Sequence, residues 1–138
     1  MTGIIVVTHG EFGAYLVEAA EFIVGAQSDG LEVVSISPRS TLDKVRENVA
    51  QAASRMSSAN GIIFMTDMLG GTPTNVVLPI ARGIPGSSVI CGININMVVS
   101  AFSYRTSMDR ENLVRKIIED GRRAICDVKS LLLDSTQH

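Results

Sequence analysis

The chain has 138 residues, which suits one domain spanning residues 1–138, and its content of 46% hydrophobic and 19% charged residues excludes a disordered chain. Twelve Lys and Arg against 14 Asp and Glu give a net charge of −2, and with no Trp the chain lacks the basic field and aromatic platform that nucleic acid binding requires. No apolar run approaches the roughly 20 residues that span a bilayer, and no signal-like segment follows Met1, so the sequence predicts a cytoplasmic domain.

Short apolar runs alternate with segments of helical period, a pattern typical of a parallel sheet with helices on both faces. The first run, Gly3–Val7, predicts a strand, and the helix after it ends at Gly25. The predicted inward stripe of that helix consists of Phe12, Leu16, Ala19, Ala20 and Ile23. Leu31–Ile36 predicts the second strand, and the next helix begins at a cap on Ser40 or Thr41.

The middle of the chain predicts a third strand and a glycine-rich loop before a short helix. The strand Gly61–Met65 delivers Asp67 just beyond its carboxyl end. Thr72 and Pro73 are typical of an N-cap and a first helical residue, because proline at that place has no amide hydrogen to leave unpaired. Pro79 lies inside the same helix and predicts a kink or irregularity there.

The last third predicts one more strand and two helices, and leaves the tail open. Ser88–Ile93 is the strand, followed by a helix from about Met97 to Tyr104 and a longer one from about Asp109 to Ala124. The tail Ile125–Leu133 can extend the last helix, but its apolar run Ser130–Leu133 also permits a terminal strand.

Ligands of open α/β sheets bind beyond the carboxyl ends of the strands, where the strand order reverses. His9 is the sharpest candidate there, because imidazole is both a good nucleophile at neutral pH and a competent leaving group. A structural histidine held by a backbone carbonyl is the alternative. The other polar residues that the predicted strands place at this edge are Thr8, Ser37, Arg39, Asp67, Gly70, Gly71, Thr72 and Asn94.

Asp67 and the glycine loop can supply the rest of a phosphoryl-transfer site. If the first and third strands are neighbours, Asp67 converges on His9, and a carboxylate on one imidazole nitrogen leaves the other free to attack. Gly70, Gly71 and Thr72 place amides and a hydroxyl at a helix N-terminus, which suits an anion. A capping aspartate and a plain tight turn are the structural alternatives. Together, these residues favour phosphoryl transfer through phosphohistidine, with neither a metal nor a cofactor.

Other chemistries fit the same residues less well. Histidine phosphatases also carry His-Gly after a first strand, but Thr8 stands where their phosphate-binding arginine precedes the histidine. A metal site would need a third convergent ligand, and His138 at the end of the chain is a poor one. The sequence contains no Walker loop and no GxGxxG motif, so a nucleotide enzyme would lack its phosphate grip.

Three segments carry a family resemblance in their order and spacing: Ile5–Gly10, Phe64–Asn75 and Gly92–Asn94. They resemble the IIA component of the mannose-type (mannose-fructose-sorbose) phosphoenolpyruvate-dependent sugar phosphotransferase system. The resemblance implies a doubly wound α/β sheet of strand order 2-1-3-4. It also implies a homodimer in which a C-terminal antiparallel strand, around Ile125–Leu132, is exchanged between subunits.

The resemblance also implies residue roles and partners. His9 would accept a phosphoryl group on Nε2 from the phosphorylated carrier HPr and pass it to a separate IIB component, with membrane IIC and IID components involved indirectly in sugar uptake. Asp67 matches the carboxylate that holds the other imidazole nitrogen, and Thr72 the hydroxyl beside the phosphate. Through its partners the chain could lie at the inner face of the membrane. Two departures are Asn96, where the family usually has proline, and Pro79 in the third helix.

Three alternatives remain open at this point. One is the phosphocarrier subunit of phosphoenolpyruvate-dependent dihydroxyacetone kinase, which the loop Gly70–Pro73 disfavours. Another is a regulatory module whose phosphohistidine is read by a different protein rather than used for transport. The third is a flavodoxin-like domain that binds a small anion at the glycine loop without covalent chemistry.

Overall fold

The computed structural model describes residues 1–56 and 59–136, which form four strands and six helices. In chain order these elements are β1 (Gly3–His9), α1 (Phe12–Val24), β2 (Leu31–Ile36), α2 (Leu42–Ser54), β3 (Ile62–Thr66), α3 (Thr72–Arg82), β4 (Ser87–Ile90), α4 (Ile95–Tyr104), α5 (Arg110–Arg123) and α6 (Val128–Thr136). None of the helices in these two ranges combines the length and hydropathy that a bilayer-spanning segment needs.

The strands form one parallel sheet in the order β2-β1-β3-β4, which confirms the predicted order 2-1-3-4. In the register of β1 with β3, Val7 lies opposite Thr66, the last residue of β3. His9 ends β1 opposite Ile36 of β2. The carboxyl ends of β1 and β3 are therefore adjacent, which is the neighbourhood that a His9–Asp67 pair requires.

Helices cover both faces of the sheet, as the continuous apolar runs of the strands predict. Alternate residues of β1 separate the two cores: Ile4 and Val6 pack with α1, α4 and α5 on one face. Ile5 and Val7 pack with α2 and α3 on the other. All four side chains are fully buried. The result is a three-layer α/β domain.

The predicted inward stripe of α1 is wrong at Phe12, Ala19 and Ile23, which are exposed, whereas Ala20 is buried and Leu16 packs against the core as predicted. The residues buried on the sheet are Gly13, Val17 and Ala20, whereas Phe12 is 48% and Ile23 61% exposed. A Cβ built on Gly13 would lie 2.7 Å from Val6 Cγ1, so the helix packs against the strand through its smallest residue. Phe12 and Ile23 recur at the helical period, but they lie on the outward side of the helix.

The third helix differs from its prediction at its start. Gly71 is the N-cap and Thr72 is already helical, so Thr72 is not the cap. Because proline is tolerated in a first turn, Pro73 still fits. The helix continues past Pro79 to Arg82 and ends at Gly83, as predicted for its end.

The C-terminal tail, which the sequence leaves open between helix and strand, forms the helix α6 in the single chain. A strand at the sheet edge needs a partner strand to satisfy its backbone. Here the tail satisfies its backbone locally: Leu131 N donates to Asp127 O at 2.9 Å, and Ser130 N donates to Asp127 Oδ1 at 3.3 Å. Exchange of this segment between subunits involves a second chain and stays a prediction.

Candidate active site

The site centres on His9 and Asp67, which the adjacent strand ends bring together. Asp67 Oδ2 lies 2.7 Å from His9 Nδ1. The same oxygen accepts a hydrogen bond from the His9 backbone amide at 2.9 Å. Asp67 Oδ1 accepts one from the Met68 amide at 3.0 Å. The carboxylate is thus fixed through both of its oxygens, and it holds the imidazole at Nδ1.

This arrangement assigns different roles to the two imidazole nitrogens. Because an ionised carboxylate can only accept, the Nδ1 atom of His9 carries the hydrogen, which leaves a lone pair on Nε2. The His9 side chain is 50% exposed and that of Asp67 only 12%. Burial raises the pKa of Asp67, but the hydrogen bonds from His9 and the electrostatic attraction between the two side chains outweigh it, so this pKa lies below its usual range. Asp67 is therefore ionised at neutral pH.

Two glycines shape the backbone on either side of the imidazole. Gly10 has a φ of +52°, a left-handed conformation that turns the chain sharply after His9. Its amide donates to Ile36 O at 2.8 Å, which ties the turn to β2. A Cβ built on Gly71 would lie 3.0 Å from His9 Cε1 and 3.0 Å from Met68 Cγ. The loop from Asp67 to Gly71 therefore packs directly against the ring.

An open groove of about 580 Å³ lies beside His9, and Thr72 lines it. Its other lining residues are Gly10, Ile36, Ser37, Pro38, Ser40, Leu42 and Val45. The amides of Thr72 and Thr74 lie in the first turn of α3, where the helix itself provides no carbonyl acceptor, whereas Pro73 has no amide hydrogen. Gly70, exposed and at φ +80°, stands at the outer end of the loop.

Several candidates from the sequence have structural roles instead. The Asn94 side chain caps α4 by accepting from Met97 N at 3.0 Å, and it donates to Gly121 O at 3.2 Å. Thr8 is fully buried, and its hydroxyl accepts a hydrogen bond from Gly13 N at 2.7 Å. Arg39 is exposed, and its backbone amide donates to the Ser37 hydroxyl at 3.1 Å.

Sequence reasoning missed a buried pair of threonines behind the loop. Thr66 ends β3 and Thr74 lies in the first turn of α3, and their hydroxyl oxygens are 2.7 Å apart. Thr74 also donates to Met68 O at 2.7 Å. The sequence does place a threonine on each side of the glycine loop. Threonine at a strand end is too common, however, for that pattern to indicate a functional pair.

We expect Gly71→Ala to slow any reaction at Nε2 of His9 while leaving the fold intact. The φ of Gly71 is −83°, which alanine adopts without strain, so the added Cβ acts only through its 3.0 Å contacts with His9 Cε1 and Met68 Cγ. If His9 accepts a phosphoryl group as the sequence predicts, displacement of the ring should slow that reaction about tenfold, since misplacement by about 1 Å can cost up to 100-fold. Gly83→Ala is the control, because its Cβ meets only Ile80 O at 3.5 Å. Equal rates for both variants would show that Gly71 does not position the ring.

Comparison with known proteins gives a consistent result. Residues 3–118 match the family EIIA-man, described as "PTS system fructose IIA component". The PTS system mannose-specific EIIAB component of Escherichia coli is 26% identical over 128 residues, which cover 92% of this chain and 39% of that protein. The PTS system fructose-specific EIIA component of Bacillus subtilis is 22% identical over 117 residues, 85% of this chain and 80% of that protein.

Solved structures agree in fold. The phosphotransferase system component EIIA from Streptococcus agalactiae superposes with a TM-score of 0.85 at 27% identity, covering 94% of this chain and 99% of that one. The PTS IIA protein associated with the fucose utilization operon of Streptococcus pneumoniae has a TM-score of 0.87 at 24% identity, covering 95% and 96%. The family match spans most of the chain, and the chain therefore belongs to the EIIA-man family of phosphotransferase-system IIA components.

Proposed function

We propose that the protein is a phosphocarrier: Nε2 of His9 accepts a phosphoryl group from phosphorylated HPr and passes it to a IIB component of a sugar phosphotransferase system. The observation that carries the proposal is the 2.7 Å contact of Asp67 Oδ2 with His9 Nδ1, on a ring whose side chain is half exposed. A ring held at one nitrogen and open at the other suits a group that must receive and release a phosphoryl group in turn.

The proposed step balances without a cofactor. The Nε2 lone pair of His9 attacks the phosphorus of the donor's phosphohistidine, a phosphorus–nitrogen bond forms on His9, and the donor's own phosphorus–nitrogen bond breaks. The electron pair of that bond returns to the donor imidazole. The His9 ring keeps its hydrogen on Nδ1 and gains positive charge, which the Asp67 carboxylate stabilises across 2.7 Å. Transfer to a IIB component reverses these steps.

The Gly71–Thr74 turn would bind the transferred phosphoryl oxygens. Phosphoryl transfer depends mainly on positioning and on electrostatic stabilisation, because the three equatorial oxygens carry the charge. The helix N-terminus of α3 offers the amides of Thr72 and Thr74, and Thr72 lines the groove beside His9. We therefore assign phosphate binding to Gly70, Gly71 and Thr72, with the Thr74 amide as a further donor.

The surroundings of His9 favour a protein partner. Large apolar side chains border the site and are exposed: Phe12 by 48%, Leu42 by 51%, Met68 by 56% and Leu69 by 78%. Exposed apolar side chains grouped around a polar centre are typical of docking surfaces. Such a surface lets a second protein bring its phosphohistidine to the open Nε2 atom of His9.

We also propose that the functional unit is a homodimer built through the C-terminal tail. In the single chain Ile125 is 81%, Val128 59% and Leu131 58% exposed, so this segment buries little of its apolar surface alone. Burial against a second subunit would remove that surface from water. We expect sedimentation equilibrium of the full chain to give twice the monomer mass, with Leu131→Asp shifting it toward the monomer. A purely monomeric full chain at micromolar concentration would contradict the dimer.

The phosphocarrier proposal is tested by incubating the protein with phosphoenolpyruvate, enzyme I and HPr and measuring its intact mass. We expect a gain of one phosphoryl group that is labile in acid and stable in alkali, and its loss when a IIB component is added. If no covalent phosphate forms, the protein is instead a domain that only binds an anion. A stable phosphohistidine that no IIB component removes would instead point to a dihydroxyacetone-kinase carrier or a regulatory module.

A further inference from the structure

Behind the loop that holds His9 lies a buried chain of hydroxyl groups with fixed directions. Thr66 is fully buried and Thr74 is 3% exposed. A carbonyl oxygen can only accept, so the single hydroxyl hydrogen of Thr74 goes to Met68 O, 2.7 Å away. The Thr66 hydroxyl, also 2.7 Å from the Thr74 oxygen, must then donate to it. The chain runs from the end of β3, through the first turn of α3, to the backbone of the loop.

The Met68 carbonyl is where this chain meets the site. It also accepts the Gly71 amide at 3.3 Å, which closes the tight turn of the loop. Met68 N donates to Asp67 Oδ1, and the Gly71 backbone lies against His9 Cε1. Both groups that hold the imidazole, the Asp67 carboxylate and the Gly71 wall, therefore flank the one peptide segment that the Thr74 hydroxyl fixes.

We propose that Thr74 is a positioning residue for His9: its buried hydroxyl holds the Met68 carbonyl, and through it the Asp67–Gly71 loop, in the arrangement that keeps hydrogen on Nδ1 and the lone pair on Nε2. The Thr66 hydroxyl donates to the Thr74 oxygen, but the bond to the loop is made by Thr74 alone. The effect of Thr74 on the rate of phosphorylation rests on the proposed phosphocarrier function. Its effect on the NMR chemical shifts of the His9 ring is measured on the unphosphorylated protein and does not depend on that function.

The test compares three variants. They distinguish loss of the Thr74 hydrogen bond to Met68 O from the general cost of removing a buried hydroxyl. Thr74→Val has nearly the same shape but loses the bond to Met68 O. Thr74→Ser keeps that bond. Thr66→Val removes a hydroxyl from the same buried network while leaving the Thr74 bond to Met68 in place, so it is the matched control for a purely structural cost. Thermal unfolding of each variant measures that cost separately.

The first readout is the ¹⁵N chemical shifts of the His9 ring, without any partner. We expect the wild type, Thr74→Ser and Thr66→Val to show a single tautomer with hydrogen on Nδ1, and Thr74→Val to show a mixture. In phosphorylation by phosphorylated HPr, Thr74→Val should be slower by about 10-fold or more, in the range found for residues that orient a functional group indirectly. Thr74→Ser should retain most of the rate.

Two results would overturn the inference. One is a Thr74→Val protein with wild-type ring shifts, and the other is a Thr66→Val protein that changes those shifts as much as Thr74→Val does. If Thr74→Val does not fold, Thr74→Ala gives the same comparison without a buried branched methyl. If the ring shifts change as expected but no variant, nor the wild type, is phosphorylated, the positioning role stands and the phosphocarrier function fails.

Discussion

Replacement of His9 by alanine is expected to abolish phosphorylation of the protein by phosphoenolpyruvate, enzyme I and HPr. The ring offers a nucleophilic lone pair at Nε2, because Asp67 occupies Nδ1 and leaves Nε2 open. The fold should be retained, since the His9 side chain is half exposed and ends its strand. Intact mass spectrometry after incubation measures the effect directly.

The sequence offers a matched control for this variant. It contains two histidines, His9 and His138, and the second lies outside the described residues. We expect His138→Ala to gain one phosphoryl group like the wild type. Undiminished labelling of His9→Ala would contradict the assignment of the acceptor, whatever the behaviour of His138→Ala.

Replacement of Asp67 by alanine is expected to slow phosphorylation by about 10- to 100-fold without unfolding the protein. The ring would lose the acceptor at 2.7 Å that sets its tautomer and the charge that stabilises it once phosphorylated. Asp67→Asn should be slower still, because an amide can donate to Nδ1 and so favour hydrogen on Nε2, the atom that must attack. Reactions stopped at successive times give the rate of phosphorylation of each variant.

Asp43→Ala is the control for loss of a carboxylate, since the Asp43 side chain is 96% exposed and pairs with Arg46 in α2. Its phosphorylation rate should equal that of the wild type. If Asp67→Ala were as fast as Asp43→Ala, the carboxylate would have no part in orienting the ring.

The same carboxylate gives a pH dependence with a definite sign. The pKa of Asp67 is lowered in the folded protein, so its contribution to stability is fully present above the unfolded value of about 3.9. That contribution is lost as the pH falls through the folded value. The difference in unfolding free energy between the wild type and Asp67→Asn should therefore shrink below about pH 4, which denaturant titrations at several pH values can follow.

Much of the site could be predicted from the sequence, because it depends mainly on two residues that directly follow or end predicted strands. Apolar runs fix the parallel strands, and parallel strands place the residues that follow them at one edge, so His9 and Asp67 were predicted to meet if β1 and β3 are neighbours. The neighbour relation itself came from the family resemblance, since strand order depends on contacts between distant segments. The structure confirms it through the pairing of Val7 with Thr66.

Where prediction failed, the cause lies in tertiary contacts that local patterns do not carry. The buried face of α1 is set by the close approach of Gly13 to Val6, and a glycine adds nothing to a hydrophobic stripe. The tail stayed open between helix and strand because a terminal strand needs hydrogen bonds from another strand, and in the single chain the tail is a helix. The role of Thr74 depends on a 2.7 Å bond to a loop carbonyl, which residue type alone does not indicate.

Phosphorus–nitrogen coupling in the phosphorylated protein distinguishes Nε2 of His9 from any other site of the phosphoryl group. The protein is labelled with ¹⁵N in the histidine rings, phosphorylated through enzyme I and HPr, and examined by NMR for phosphorus–nitrogen coupling. We expect coupling at Nε2 of His9, with Nδ1 still protonated and bonded to Asp67. Coupling at Nδ1, or covalent phosphate on any other residue, would contradict Nε2 of His9 as the phosphoryl acceptor.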